Sequence, residues 1–115
     1  MQPRDLSSLV DILAAARLVQ MFIAGVDRNT FETDLMRQSA VVRQLEIIGE
    51  ATKRLSEAFR ASHPKIPWRQ MAGMRDILIH NYDDVDLDEV WNVATISIPE
   101  LIQQIEPLVP SEGQA

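Results

Sequence analysis

Six residues in the middle of the chain, Val41, Leu45, Ile48, Thr52, Leu55 and Phe59, recur alternately four and three positions apart. That spacing lays all six along one face of a helix, whereas the side chains of a strand change face at every residue. Elsewhere, too, the apolar residues follow a helical period, and Gly and Pro fall between the periodic stretches. No strand-like alternation competes. The pattern predicts an all-α protein, a four-helix bundle.

The first helix is expected from about Pro3 to Ala24, with Pro3 in its first turn and Gly25 just past its end. Its stripe reads Leu6, Leu9, Val10, Leu13, Arg17 and Met21. The second starts at Asn29 or Thr30, where Asn29 and Glu32 resemble a capping box, and runs some thirty residues to near Ala61. Val42 and Ile47 widen its stripe, so it meets neighbours on two sides, one of which a second subunit can supply. His63-Pro64 ends it, because the residue before proline avoids the α region. The third begins near Pro67-Trp68, turns Met71, Met74, Ile77 and Leu78 inward, and stops near His80-Asn81. The fourth opens with Asp86 as cap and Glu89 at the third position, with Val85 and Val90 as staple. It continues to Leu108, with a kink expected at Pro99. Residues 1–109 form one helical domain, and 110–115 read as a flexible tail.

A chain of 115 residues can build one proper core without staples. Cysteine is absent, which excludes disulfides, thiolate zinc sites and a cysteine nucleophile. The net charge of −6 excludes a general nucleic-acid coat and leaves room for a small, locally basic site. No apolar run is long enough for a membrane span and no signal-peptide core is visible, so a soluble, cytoplasmic protein is expected. There is no glycine-rich phosphate loop and no His-Glu-x-x-His motif, and no metal site is expected. Glu46 and Glu50 read as partners of Lys53 or Arg54, His63 as a solvent-facing turn residue, and Trp68 and Trp91 as packing residues.

One segment gathers functional side chains: Arg75, Asp76, His80 and Tyr82. An arginine holds phosphate with a permanent planar cation, and a histidine gives or takes a proton near neutral pH. Together they can cleave RNA without a metal: His80 moves the proton, and Arg75 stabilises charge on phosphorus. Five residues on a helix turn through roughly 140°, so Arg75 and His80 do not share a face. Either His80 sits on a fraying last turn or a second subunit completes the site. The residue types alone favour a plain helix end with a dipole-compensating His80, a surface Arg75 and a packing Tyr82.

Three blocks carry a resemblance. They are Arg43 through Leu55, reading RQLEIIGEATKRL, His63 through Met71, reading HPKIPWRQM, and Met74 through Trp91. In this order and spacing the chain resembles the HepT-type toxins of the HEPN family, from about Arg4 to Leu108. The third block holds that family's Arg-x-x-x-x-His-x-Tyr motif as Arg75, His80 and Tyr82. The resemblance implies a homodimer through the long helices, with two Arg75/His80 pairs in one composite, metal-independent ribonuclease cleft acting on tRNA or mRNA. It implies a partner, an MNT-type nucleotidyltransferase antitoxin, that transfers AMP from ATP to Tyr82; no other cofactor is implied. Relatives often carry Asn where this chain has Asp76, which can orient His80 or Arg75 or repel RNA phosphate. A second function fits the acidic surface and wide apolar stripes: a non-catalytic helical module that docks and regulates a nucleotidyltransferase.

Overall fold

The computed structural model describes residues 1–74 and 86–110, and every regular element among them is helical. Helix α1 spans Pro3–Ile23, with Pro3 at its start and Gly25 at φ 72° just beyond its end. Only glycine enters that left-handed region without a steric penalty, which is why the chain can turn sharply there. The predicted first helix is thus observed almost to the residue.

The predicted second helix is broken twice. Helix α2 spans Arg28–Thr33, α3 spans Leu35–Lys53 and α4 spans Glu57–Ser62. The first cap is Asp27, not Asn29: its carboxylate accepts the Thr30 amide at 2.7 Å. At Asp34 the backbone leaves the helical region and the side chain starts α3 by accepting from the Arg37 amide at 3.0 Å. Gln38 Nε2 closes the gap by donating to the carbonyls of Phe31 and Glu32. At Ser56 the same device recurs, with Oγ accepting from the Phe59 amide at 3.1 Å. A short side-chain acceptor competes with the helix ladder for backbone donors, and here it wins twice. The buried register survives the second break: Val41, Leu45, Ile48, Thr52, Leu55 and Phe59 are all buried.

Helix α5 spans Trp68–Ala72, with Pro67 one position earlier than expected, as the cap residue. Helix α6 spans Leu87–Asn92 and is capped by Asp86 through the Glu89 amide at 3.1 Å, as the sequence predicts. Where a proline kink is expected, the chain forms a π-helical turn, Val93–Ser97, before α7 continues over Ile98–Ile105. The Ile98 amide donates to the Val93 carbonyl, five residues back. Widening the turn just ahead of Pro99 accommodates both its missing N–H and its bulky ring. A short 3-10 turn, Glu106–Leu108, follows.

Helix α3 packs chiefly on α1, and α7 lies against α1 as well. The core runs from Leu9, Ile12 and Val19 through Leu45 and Ile48 to Ala94, Ile98 and Ile105, all fully buried. The expected α1 stripe is rotated. Leu9 and Leu13 are inside, but Val10, Arg17 and Met21 are exposed, and Asp5, Ser8, Ala15 and Ala16 are buried instead. Between Leu6 and Ile23 only Asp11 and Arg17 are charged, so apolar residues surround the helix and do not mark one side. By length and composition α1 therefore does match a membrane-crossing segment, contrary to the sequence expectation. Its buried face is spent on the protein core.

Two buried polar groups of this core are satisfied. Thr52 Oγ1 donates to the Ile48 carbonyl at 2.7 Å. Asp5, 2% exposed, accepts from the Ser56 amide at 2.7 Å and the Ser56 hydroxyl at 2.8 Å. The start of α1 is thereby tied to the start of α4, 51 residues away.

Candidate functional site

The four residues singled out by the sequence, Arg75, Asp76, His80 and Tyr82, lie outside the described residues, as do Ile77, Leu78 and Val85. The described chain fixes the two ends that hold them.

On the N-terminal side, α4 ends at His63, whose carbonyl accepts from the Ile66 amide at 3.2 Å and from Trp68 Nε1 at 3.0 Å. The Phe59 ring meets the His63 ring at 4.7 Å and the Trp68 ring at 5.9 Å. His63 is therefore half-buried against an aromatic ring, and not the solvent-facing turn residue the sequence suggests. Two prolines, Pro64 and Pro67, bound this corner, and a satisfied indole N–H anchors it. From it α5 carries Met71 into the core, and Met74, just past its end, is buried as well. Arg75 is the next residue.

On the C-terminal side, Asp86 is the first described residue and caps α6. Arg28 reaches Asp88 from α2, and the Asp88 hydrogen bond holds the Arg28 guanidinium above its ordinary pKa. Trp91 packs on Phe31 with ring centroids 5.1 Å apart, so both tryptophans pack as expected. Val90 is fully buried. Met74, just before the motif segment, and Val90, four residues after Asp86, are core residues, while Asp86 itself is exposed.

A groove of about 310 Å³ lies beside these two ends, with Met71, Met74, Val93 and Leu101 in its lining. Its charged lining residues are Glu89 and Glu100, and none of the described lining residues is a cation. Two carboxylates repel a phosphodiester, so the described lining of this groove does not favour phosphate.

The remaining sequence candidates have structural partners. Glu46 pairs with Arg43 at 3.2 Å, Arg54 pairs with Asp11 at 3.4 Å, and Glu50 and Lys53 each have a partner too. Among the described residues no three His, Asp or Glu side chains converge in a way that could hold a metal ion. The described acids with shifted pKa values are structural. Asp5, Asp27 and Asp34 are all lowered, chiefly by backbone amides of Ser56, Thr30 and Arg37 respectively. The Asp5–Ser56 tie is invisible in the sequence because nothing local marks a partner so far along the chain.

Comparison with known proteins bears on the whole length. The sequence model of the HepT-like ribonuclease family matches residues 12–108, a span that contains Arg75, Asp76, His80 and Tyr82. A protein of Methanocaldococcus jannaschii named as a candidate RNase is 38% identical over 107 residues, covering 92% of this chain and 98% of its own. A protein of Thermococcus cleftensis named as a probable ribonuclease HepT is 44% identical over 100 residues, 87% of this chain and 91% of its own. A third, from Caldanaerobacter subterraneus and also named as a candidate RNase, is 42% identical over 90 residues, 78% of this chain and 80% of its own. No solved structure matches the chain at a comparable level.

Proposed function

Because the chain belongs to the HepT-like ribonuclease family, we propose that this endoribonuclease is the toxin of a toxin–antitoxin pair and cuts cellular RNA with Arg75 and His80. The observation that carries this reading is the Arg-x-x-x-x-His-x-Tyr motif inside a family match that covers most of the chain.

The chemistry asks for no metal. His80 takes the proton of a ribose 2′-hydroxyl, whose oxygen attacks the adjacent phosphorus. The bond from phosphorus to the 5′-oxygen breaks, and that oxygen leaves with a proton from a histidinium. A cyclic phosphate and a free 5′-hydroxyl result. Arg75 stabilises the charge that builds on the phosphoryl oxygens. One base and one acid are needed, and a homodimer supplies two copies of His80 to one cleft. It also meets the difficulty that Arg75 and His80 of one helix face different ways. Asp76 is the supporting residue, placed next to Arg75 to orient the pair.

Tyr82 is the off-switch. A nucleotidyltransferase antitoxin of the MNT type joins its hydroxyl oxygen to the α-phosphorus of ATP, and pyrophosphate leaves. The attached AMP then sets a phosphate two residues from His80 in sequence, where it competes with RNA for Arg75. The RNA cut is a tRNA or an mRNA.

The test is cleavage of cellular RNA in EDTA by a sample whose Tyr82 is shown by mass to be unmodified, beside Arg75→Ala and His80→Ala. Cleavage by the native chain, with a loss of at least about a hundredfold in each variant at unchanged melting temperature, is the expected result. Cleavage that survives both substitutions removes Arg75 and His80 from the chemistry. No cleavage by the native chain moves the protein to the role of a helical module that docks a nucleotidyltransferase.

A further inference from the structure

The acidic groove beside the motif ends leaves open how a chain of net charge −6 holds an RNA backbone. One described pocket has the opposite character. It measures about 390 Å³ and is lined by Arg4, Ser7 and Ser8 of α1 with Lys53 and Arg54 from the end of α3. Three cations and two hydroxyls thus converge on a surface that is acidic in balance.

Ser8 is the telling residue. It is 3% exposed, lines this pocket, and makes no hydrogen bond among the described residues. Three hydroxyls elsewhere in the helices bond back to the preceding turn, Thr52 to Ile48, Ser62 to Ala58 and Thr95 to Trp91, and of these Thr52 is buried as Ser8 is. A nearly buried hydroxyl without that bond keeps its donor for something in the pocket. Arg4 has no ion-pair partner among the described residues. Arg54 spends one N–H on Asp11 at 3.4 Å, and a guanidinium has five. Lys53 lines the same pocket and has a partner of its own. Asp5, the buried carboxylate next to Arg4 in sequence, is hydrogen-bonded to Ser56 and also feels the Arg4 charge. Guanidinium and hydroxyl donors around a small concavity match the unesterified oxygens of a phosphodiester.

We propose that Arg4, Ser8 and Arg54 form a phosphate subsite that grips the backbone of the RNA substrate, separate in sequence from the Arg75–Tyr82 motif. The subsite positions the strand and is not part of the cutting machinery. It rests on the reading of the chain as a ribonuclease for the identity of its ligand.

The experiment measures binding of a 5′-labelled, single-stranded RNA of about 12 nucleotides by fluorescence anisotropy across a salt series. The protein is the full chain carrying His80→Ala so that RNA stays intact. Into it go Arg4→Glu and, separately, Ser8→Ala. A glutamate in the first turn suits the helix dipole, so Arg4→Glu keeps α1 folded, and a thermal melt checks both variants. Arg4→Glu should weaken binding about tenfold and flatten the salt slope by about 0.7 for each phosphate that is no longer neutralised. Ser8→Ala should weaken it about threefold, as removal of one hydrogen bond does, with no change in slope. An unchanged Kd in both variants overturns the subsite. So does a weakened Arg4→Glu whose salt slope does not move, which marks a structural role. Competition by millimolar inorganic phosphate without any effect of Arg4→Glu on RNA makes it a free-phosphate site and also overturns it. Cleavage by the chain with His80 intact separates the two proposals. If the variants bind RNA more weakly but the native chain cuts none, the subsite stands and the ribonuclease reading fails.

Discussion

Two helix starts in this protein are capped by the same chemistry and held by different means. Helix α4 begins at Ser56, whose hydroxyl accepts from the Phe59 amide and donates to Asp5, a buried residue on α1. Helix α6 begins at Asp86, an exposed residue whose carboxylate accepts from the Glu89 amide within its own first turn. The first cap is also a weld between elements 51 residues apart. The second is local and stands where the motif segment rejoins the described core. A cap made only of neighbours stabilises a helix end, whereas a cap gripped from elsewhere also decides where that helix sits.

The sharpest way to break this contrast is Asp5→Ala. It removes a charged acceptor from two Ser56 donors and should cost about 2–4 kcal/mol in a urea unfolding titration. A decrease no larger than that of an ordinary surface substitution would show that the tie carries no weight. The pH dependence sharpens the same point. The Ser56 amide holds the folded Asp5 pKa below its ordinary 3.8. A group lowered on folding contributes stability that is full above the unfolded pKa and is lost as pH falls through the folded one. Stability of the native chain should therefore decline below about pH 4, and Asp5→Asn should be less stable at about pH 7 and flatter in that window. An acid limb of equal steepness in Asp5→Asn would assign the decline to the other lowered carboxylates, Asp27 and Asp34.

Smaller effects separate the two caps themselves. Ser56→Ala should cost about 1–2 kcal/mol and Asp86→Ala about 1 kcal/mol or less. The informative quantity is their coupling to Asp5. Asp5→Ala with Ser56→Ala should be far from additive, because the two share their bonds, while Asp5→Ala with Asp86→Ala should add. Additivity in the first pair would reduce the weld to two independent caps.

The same difference explains what the string of residues reveals and what it hides. The Val41-to-Phe59 stripe is legible because its apolar residues stand among polar ones, so the buried face is marked whatever its partner. The α1 stripe is ambiguous because apolar residues surround that helix, and Val10 and Met21 look as suited to the core as Ile12 and Val19. The break at Ser56 leaves the periodicity intact, so the period conceals it, and the break at Asp34 lies ahead of the stripe altogether. Pro99 announces a disturbance, but not its form, a π-helical turn that keeps Ala94 and Ile98 buried. The motif residues Arg75, His80 and Tyr82 are visible as a pattern of chemical types, which is a property of the string. Arg4, Ser8 and Arg54 are not, since nothing in the string joins residue 8 to residue 54.

The sequence by itself determined the helical class, the buried face of the central helix, the cap at Asp86, and the residues whose chemistry suits RNA cleavage. All of these depend on spacing along the chain or on the chemistry of single side chains. Only the tertiary structure decided which side of α1 is inside, that Asp5 holds Ser56, and that three cations and a nearly buried hydroxyl meet in one pocket. Those are juxtapositions between distant segments, fixed by packing and by the requirement that each buried polar group find a partner.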